Sequence, residues 1–143
     1  MKKISKFDCG PAFAMAKVVL YEYNAEDPKS LARAMKFRRE RGKKVSNHVP
    51  GGFCVFDDFR SSRGTAPIYI FVGAQGRKDP LDGVFRTLPH EIDHVVGFLC
   101  ENWKIKSVDE PAAYLCGYMT KQFQKDLLKS LGYEIVKKEE KGK

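Results

Sequence analysis

Residues 88–103 have the sequence LPHEIDHVVGFLCENW, and this stretch decides how the C-terminal half of the chain folds. Its apolar residues recur every three or four positions, which predicts one face of an amphipathic helix; they are Leu88, Ile92, Val95, Val96, Leu99 and Trp103. His90, His94 and Gly97 share the opposite face. The stretch therefore predicts a helix that buries one side and turns both histidines away from the core.

Pro89 constrains where this helix begins. A proline inside a helix removes one backbone hydrogen bond, whereas it is tolerated in the first turn. The sequence therefore leaves two alternatives: the helix begins near Thr87, or it kinks at Pro89.

The same helix carries an H-E-x-x-H motif, which is typical of hydrolytic zinc sites. His90 and His94 are four positions apart, so both imidazoles can bind one metal ion from the same face. Glu91 is the candidate general base. The chain has three histidines, and two of them are in this motif. The motif predicts a Zn²⁺ site with His90 and His94 as ligands.

A catalytic zinc ion normally has three protein ligands and an open position for water. Glu101 is excluded, because it lies seven residues past His94, about 10 Å along the same helix. Cys100 occupies the place of a third histidine in the H-E-x-x-H-x-x-G-x-x-H pattern, but a buried core thiol is the favoured interpretation. Glu110 is the preferred third ligand, because the next helix is expected to begin there and to run back antiparallel.

His90, Glu91, His94 and Glu110 together resemble the gluzincin type of zinc metallopeptidase, whose third ligand is a glutamate on the helix after the motif helix. The resemblance covers roughly residues 68–131 and departs from that family in the short separation between motif and glutamate. It implies a small zincin-like domain that hydrolyses peptide bonds. Glu91 would accept a proton from zinc-bound water and deliver it to the leaving amine.

Further roles are implied by the same resemblance. The segment Ile68–Val72 would be an edge strand that lines the cleft and pairs with an extended peptide or protein substrate. Tyr114 and His48 are candidates for stabilising the oxyanion, with packing and solvation as their ordinary alternatives. Asp109 would either orient a zinc-bound histidine or cap the last helix.

Other segments predict the remaining elements. Residues Lys17–Tyr23 favour a strand. Pro28–Arg41 is expected to be a helix that Gly42 ends. Phe53–Phe59 and Ile68–Val72 are short, aromatic and β-branched, which predicts neighbouring antiparallel strands.

A last helix is expected from Asp109 to Leu131. Residues 111–120 contain no charged side chain, so the first half should be buried on most sides. Ala113 and Gly117 share the face of Glu110 and would allow close packing of the last two helices.

These elements predict an α+β fold with a short antiparallel or mixed sheet packed on the motif helix and the C-terminal helix. At 143 residues, with 43% hydrophobic and 31% charged side chains, the chain is expected to form one domain over residues 1–136. Residues 137–143 form a basic tail that we expect to be disordered.

Composition also limits the location of the protein. No apolar run approaches the ~20 residues of a membrane-spanning helix, so no membrane partner is expected. There is no C-x-x-C motif among the four cysteines, which favours reduced, buried thiols and a cytoplasmic location; they are Cys9, Cys54, Cys100 and Cys116.

The net charge of +8 is concentrated in Arg33–Lys44 and Lys137–Lys143. It permits a nucleic-acid partner, but a solvated helix face and a tail explain it better, because no aromatic residues interleave the tail. The second interpretation of the chain is a non-catalytic zinc-binding domain that binds a protein or nucleic acid through its basic surface. The third is that the H-E-x-x-H motif is a coincidence in an ordinary helix.

Overall fold

The computed structural model describes residues 1–41, 44–45, 51–56, 67–106 and 109–136, and its centre is a five-stranded mixed sheet. Within these ranges three α-helices accompany the sheet. The predicted α+β class with a mixed sheet is therefore confirmed. Residues 137–143, the predicted tail, and residues 46–50, which include His48, lie outside the described residues.

The sheet has the strand order β1-β2-β5-β4-β3. Its strands are β1 (Lys2–Asp8), β2 (Lys17–Asn24), β3 (Lys44–Val45), β4 (Gly52–Phe56) and β5 (Ile68–Gln75). The β2–β5 pair is parallel, and the other three pairs are antiparallel. The antiparallel pairing of β4 with β5 confirms the sequence prediction; the predicted end of that strand, residues 57–59, lies outside the described residues.

β5 is the middle strand of the sheet, which corrects the prediction that Ile68–Val72 is an edge strand. Its backbone pairs with β2 on one side, where Ile70 faces Leu20, and with β4 on the other, where Ile70 faces Cys54. Both rows of its hydrogen-bonding groups are therefore in use along this segment. An extended substrate cannot add to β5, and the described edges of the sheet are β1 and β3.

Alternate side chains of the strands enter two separate cores. Leu20 and Ile70 belong to the larger core, which the two C-terminal helices cover. Tyr21 and Phe71, their neighbours in the chain, belong to a smaller aromatic cluster beneath the first helix. This alternation is the two-residue period of a strand whose two faces are both covered.

The helices are α1 (Pro28–Arg41), α2 (Leu88–Trp103) and α3 (Glu110–Ser130), and a π-helical segment, Gly83–Thr87, leads directly into α2. The bounds of α1 agree with the prediction, and Gly42, its expected stop, lies outside the described residues. α3 begins and ends within one residue of its predicted limits.

The π-helical segment explains how Pro89 is accommodated. The N–H of Leu88 bonds to the carbonyl of Gly83, five residues earlier. The next carbonyl in this pattern, that of Val84, faces Pro89, which has no N–H to donate. The side-chain amide of Gln124 on α3 donates to this carbonyl instead, at 3.2 Å. The helix α2 begins at Leu88, directly after Thr87, so Pro89 lies in its first turn; the first of the two predicted alternatives is confirmed. The helix α3 supplies the missing donor.

The first half of α3 is more exposed than the sequence predicted. Only Ala112, Leu115 and Met119 of residues 111–120 are buried, whereas Tyr114 and Tyr118 are 59% and 62% exposed. Gly117 is exposed too, and a Cβ added there would meet no atom within 4 Å. The expectation of burial on most sides was wrong, because an absence of charge does not by itself place a helix face in the core.

The four cysteines are free thiols. Cys54 and Cys100 are buried as predicted, but Cys9 and Cys116 are only half-buried. No helix among the described residues is long and apolar enough to cross a bilayer.

Candidate metal centre

The helix α2 presents the two histidines as the sequence predicted. Leu88, Ile92, Val95 and Leu99 are fully buried, and they fix the rotation of the helix against the sheet. His90, His94 and Gly97 lie on its exposed side. The amphipathic pattern therefore determines where a metal ion can approach the protein.

The two imidazoles contact each other through their Nε2 atoms, within hydrogen-bond distance. The Nε2 atoms of His90 and His94 are 3.1 Å apart, and the ring centroids are 4.7 Å apart with an interplanar angle of 85°. With a Zn–N distance of about 2.0–2.1 Å, two ligands of a tetrahedral zinc ion are separated by about 3.3–3.4 Å. The Nε2 atoms lie within a few tenths of an ångström of that separation, so the pair fits two ligands of one ion.

A third ligand is not assembled beside them. In the described part of the chain no group of three His, Cys, Asp or Glu side chains could hold a metal ion. The reason is that α2 does not break at Gly97 but continues to Trp103. That end of the helix is nine residues, or about 13 Å, beyond His94.

The start of α3 is tied to this far end of α2. The N–H of Ile105 bonds to the carbonyl of Cys100, and the N–H of Asp109 bonds to the carbonyl of Lys106. Asp109 also raises the pKa of the Cys100 thiol, after the larger effect of burial. Cys100 is six residues, or about 9 Å, past His94 along α2, and Glu110 follows Asp109 at the start of α3. Glu110 is exposed and is not brought to them; its role as a ligand stays a prediction.

Cys100, the alternative ligand, is a core residue. It is 5% exposed and belongs to the larger core. Burial raises the pKa of its thiol, whereas a metal needs the thiolate. Its position favours the core thiol over the metal ligand.

Glu91 is buried, unlike the two histidines near it in the sequence, and its role as general base stays a prediction. Its side chain is 1% exposed, and one of its oxygens, Oε2, lies 3.0 Å from Sγ of Cys54 on β4. The thiol also lies 3.2 Å from the backbone carbonyl of Glu91. Glu91 therefore lies in the interface between α2 and the sheet, while His90 and His94 face solvent.

Two further residues belong to this polar region and were missed by the sequence interpretation. Burial raises the pKa of the Tyr23 hydroxyl, the charge of Arg77 lowers it, and the charge of Glu91 raises it. The Arg77 guanidinium donates to the carbonyl of Gly51 at 2.7 Å and to Oγ1 of Thr87 at 3.0 Å. The sequence offered one signal for this buried polar region. Glu91 lies three residues after Leu88, which places its side chain on the apolar side of α2.

The remaining candidates are dispersed. Tyr114 lies in a groove between α3 and the N-terminal residues, and neither His90 nor His94 is among the described residues that line it. Asp109 is the N-cap of α3, with an extended backbone and without a side-chain capping bond. His48 lies outside the described residues.

Comparisons with protein-family models, curated proteins and solved structures give no match. A function for this α+β domain is therefore argued from its own residues.

Proposed function

We propose that this protein is a zinc-dependent peptidase that binds its metal through His90, His94 and Glu110 and acts on peptide or protein substrates. The observation that supports the proposal is the separation of 3.1 Å between the two Nε2 atoms. Both rings are exposed on one face of α2. Because the other side of the helix is buried, the direction of this face is fixed. Two surface histidines held in this way suit one ion without reorganisation of the helix.

Zinc in such a site lowers the pKa of water to about 7 and polarises a substrate carbonyl. Two local movements of this chain are then required. The exposed carboxylate of Glu110 has to approach the histidines, and the carboxylate of Glu91 has to leave the thiol of Cys54. In that position Glu91 accepts the proton of the attacking water and returns it to the leaving amine.

The buried position of Glu91 supports a second candidate, a non-catalytic zinc-binding domain that binds a partner through its basic surface. Structural zinc sites are closed by four protein ligands, and the described residues around His90 and His94 supply two. We therefore place this candidate second. For either function, four free thiols fit a reducing compartment, and we propose the cytoplasm.

Zinc analysis and cleavage assays together test the proposal. We expect His94→Ala and Glu110→Ala to lose zinc. Glu101→Gln changes an exposed carboxylate on α2, the helix of His94, and should keep zinc. Glu91→Gln should keep zinc and lose about 10²- to 10⁴-fold in turnover of a peptide library.

Each outcome decides one part of the proposal. Full zinc occupancy in Glu110→Ala would remove Glu110 from the ligand set. Equal cleavage by Glu91→Gln would overturn the assignment of the base. Zinc binding without cleavage by the unmodified protein would favour the second candidate, and no zinc binding at all would overturn both.

A further inference from the structure

A groove with a volume of about 640 Å³ runs between α3 and the N-terminal residues of the chain. Phe7 and Pro11 line one side of the groove, and Tyr114, Tyr118, Lys121 and Lys125 line the other. On α3 these four residues recur at intervals of three or four, so they form one continuous stripe along the helix. The groove is distinct from the exposed face of α2 that carries His90 and His94.

The two tyrosines form an exposed aromatic surface in this groove. Tyr114 is 59% and Tyr118 is 62% exposed. Their ring centroids are 6.2 Å apart, and the rings are within 21° of parallel. Neighbouring aromatic rings held nearly parallel in a groove are an arrangement that proteins use to stack successive nucleobases.

The charges of the groove favour an anionic ligand. Asp8 is paired with Lys17, and the carboxylate of Asp126 accepts a hydrogen bond from Ser5. Lys121 and Lys125 are exposed on neighbouring turns, and within the described ranges neither has a carboxylate partner within 4 Å. Asp8 is exposed but paired, and Asp126 is partly buried. With Lys17 counted, three lysines face two carboxylates here, which leaves an excess of one positive charge in a chain of net charge +8.

We infer that this groove binds single-stranded nucleic acid, with bases stacked on Tyr114 and Tyr118 and phosphates beside Lys121 and Lys125. An acidic peptide would satisfy the lysines but would make less use of two parallel rings. The inference goes beyond the proposed function, since it involves a different surface and needs no metal. It also assigns nucleic-acid binding to residues other than those of Arg33–Lys44 and Lys137–Lys143, the two basic segments that the sequence singled out.

Fluorescence anisotropy with a labelled twelve-residue oligothymidine, in the presence of EDTA, tests this inference. We expect Tyr114→Ala/Tyr118→Ala to weaken binding at least about tenfold, since each stacked base contributes substantially. Tyr114→Phe/Tyr118→Phe should bind within about twofold of the unmodified protein, because the rings are retained. Tyr133→Ala, which removes an exposed tyrosine outside the groove, is the matched control.

A salt titration tests the lysines independently. For Lys121→Gln/Lys125→Gln we expect the slope of log K against log salt to fall by about 1.4, from two lost phosphate contacts on a single strand. Lys129→Gln, an exposed lysine of α3 outside the groove, should leave the slope nearly unchanged. Circular dichroism establishes that each variant is folded.

Several results would overturn the inference. One is an absence of oligonucleotide binding, and another is binding that the tyrosine pair does not affect, which would indicate non-specific attraction to a polyanion. Capture of acidic peptides in preference to the oligonucleotide would assign the groove to a protein partner. The assay contains no zinc, so its result is separate from the success or failure of the peptidase proposal.

Discussion

The thiol of Cys54 on β4 and the carboxylate of Glu91 on α2 are 3.0 Å apart in the interior of the protein. This contact joins the sheet to the helix that presents the two histidines. A double-mutant cycle with Cys54→Ala and Glu91→Leu measures it in chemical unfolding. We expect a coupling free energy of about 0.5–3 kcal/mol, because each partner satisfies the other in a buried site. Additive effects would show that the two side chains are independent.

Glu22 on β2 makes stability depend on pH. It is 2% exposed, its Oε2 has no hydrogen-bond partner among the described residues, and burial raises its pKa above 4.5, against the weaker effects of Lys2 and the N-terminal amine. Because the folded state holds the proton more tightly, the stabilising contribution is complete below pH 4.5 and lost as the pH rises through the raised pKa.

The Tm of Glu22→Gln minus that of the unmodified protein should therefore increase as the pH rises from 4 to 8. Thermal melts across this range provide the measurement, and Glu26→Gln, at an exposed position, is the control. A difference in Tm that stays constant with pH would contradict the prediction.

The contact between Gln124 and the carbonyl of Val84 gives a prediction about Pro89. Gln124→Ala should destabilise the protein by about 1–3 kcal/mol, because it leaves a carbonyl without a donor. In the Pro89→Ala background the same change should cost less, since alanine at this position supplies the backbone N–H that proline lacks. Urea unfolding of the four proteins tests this, and an equal cost in both backgrounds would show that Gln124 acts elsewhere.

Two glycines should respond to alanine in opposite directions. A Cβ at Gly52 would lie 2.6 Å from the carbonyl oxygen of Phe71 and 2.8 Å from Cγ2 of Thr87, so Gly52→Ala should destabilise the protein by about 1–3 kcal/mol. A Cβ at Gly97 would meet nothing within 4 Å, and Gly97→Ala should stabilise α2 by about 0.5–1 kcal/mol. Chemical unfolding compares them; a loss in Gly97→Ala would indicate that the helix bends there.

The elements whose apolar residues recur with a clear helical period were predictable from sequence. The apolar stripe of α2 determined which side carries His90 and His94, and Asp27-Pro28 marked the start of α1. Local chemistry was sufficient in these cases, because one short segment contains both the period and its boundaries.

The errors arose where distant segments decide the outcome. β1 was not predicted, because Lys2, Lys3 and Lys6 give it a polar pattern, although lysines are common on edge strands. The central position of Ile68–Val72 depends instead on its parallel pairing with β2, a strand that was predicted but whose partner lies 50 residues away in the chain (68 − 18). The place of Glu110 likewise depends on how far α2 continues past Gly97, which no motif specifies.

The parallel pair β2–β5 also has a consequence for folding kinetics. It matches Val18 with Ile68, positions separated by 50 residues (68 − 18), whereas the β1–β2 hairpin closes over the eight residues 9–16. The chain between these positions has to close into a loop, which costs conformational entropy, before the contacts between β2 and β5 can stabilise the fold. We therefore expect the terminal hairpin to form early and the joining of β2 to β5 to limit the folding rate of the whole domain.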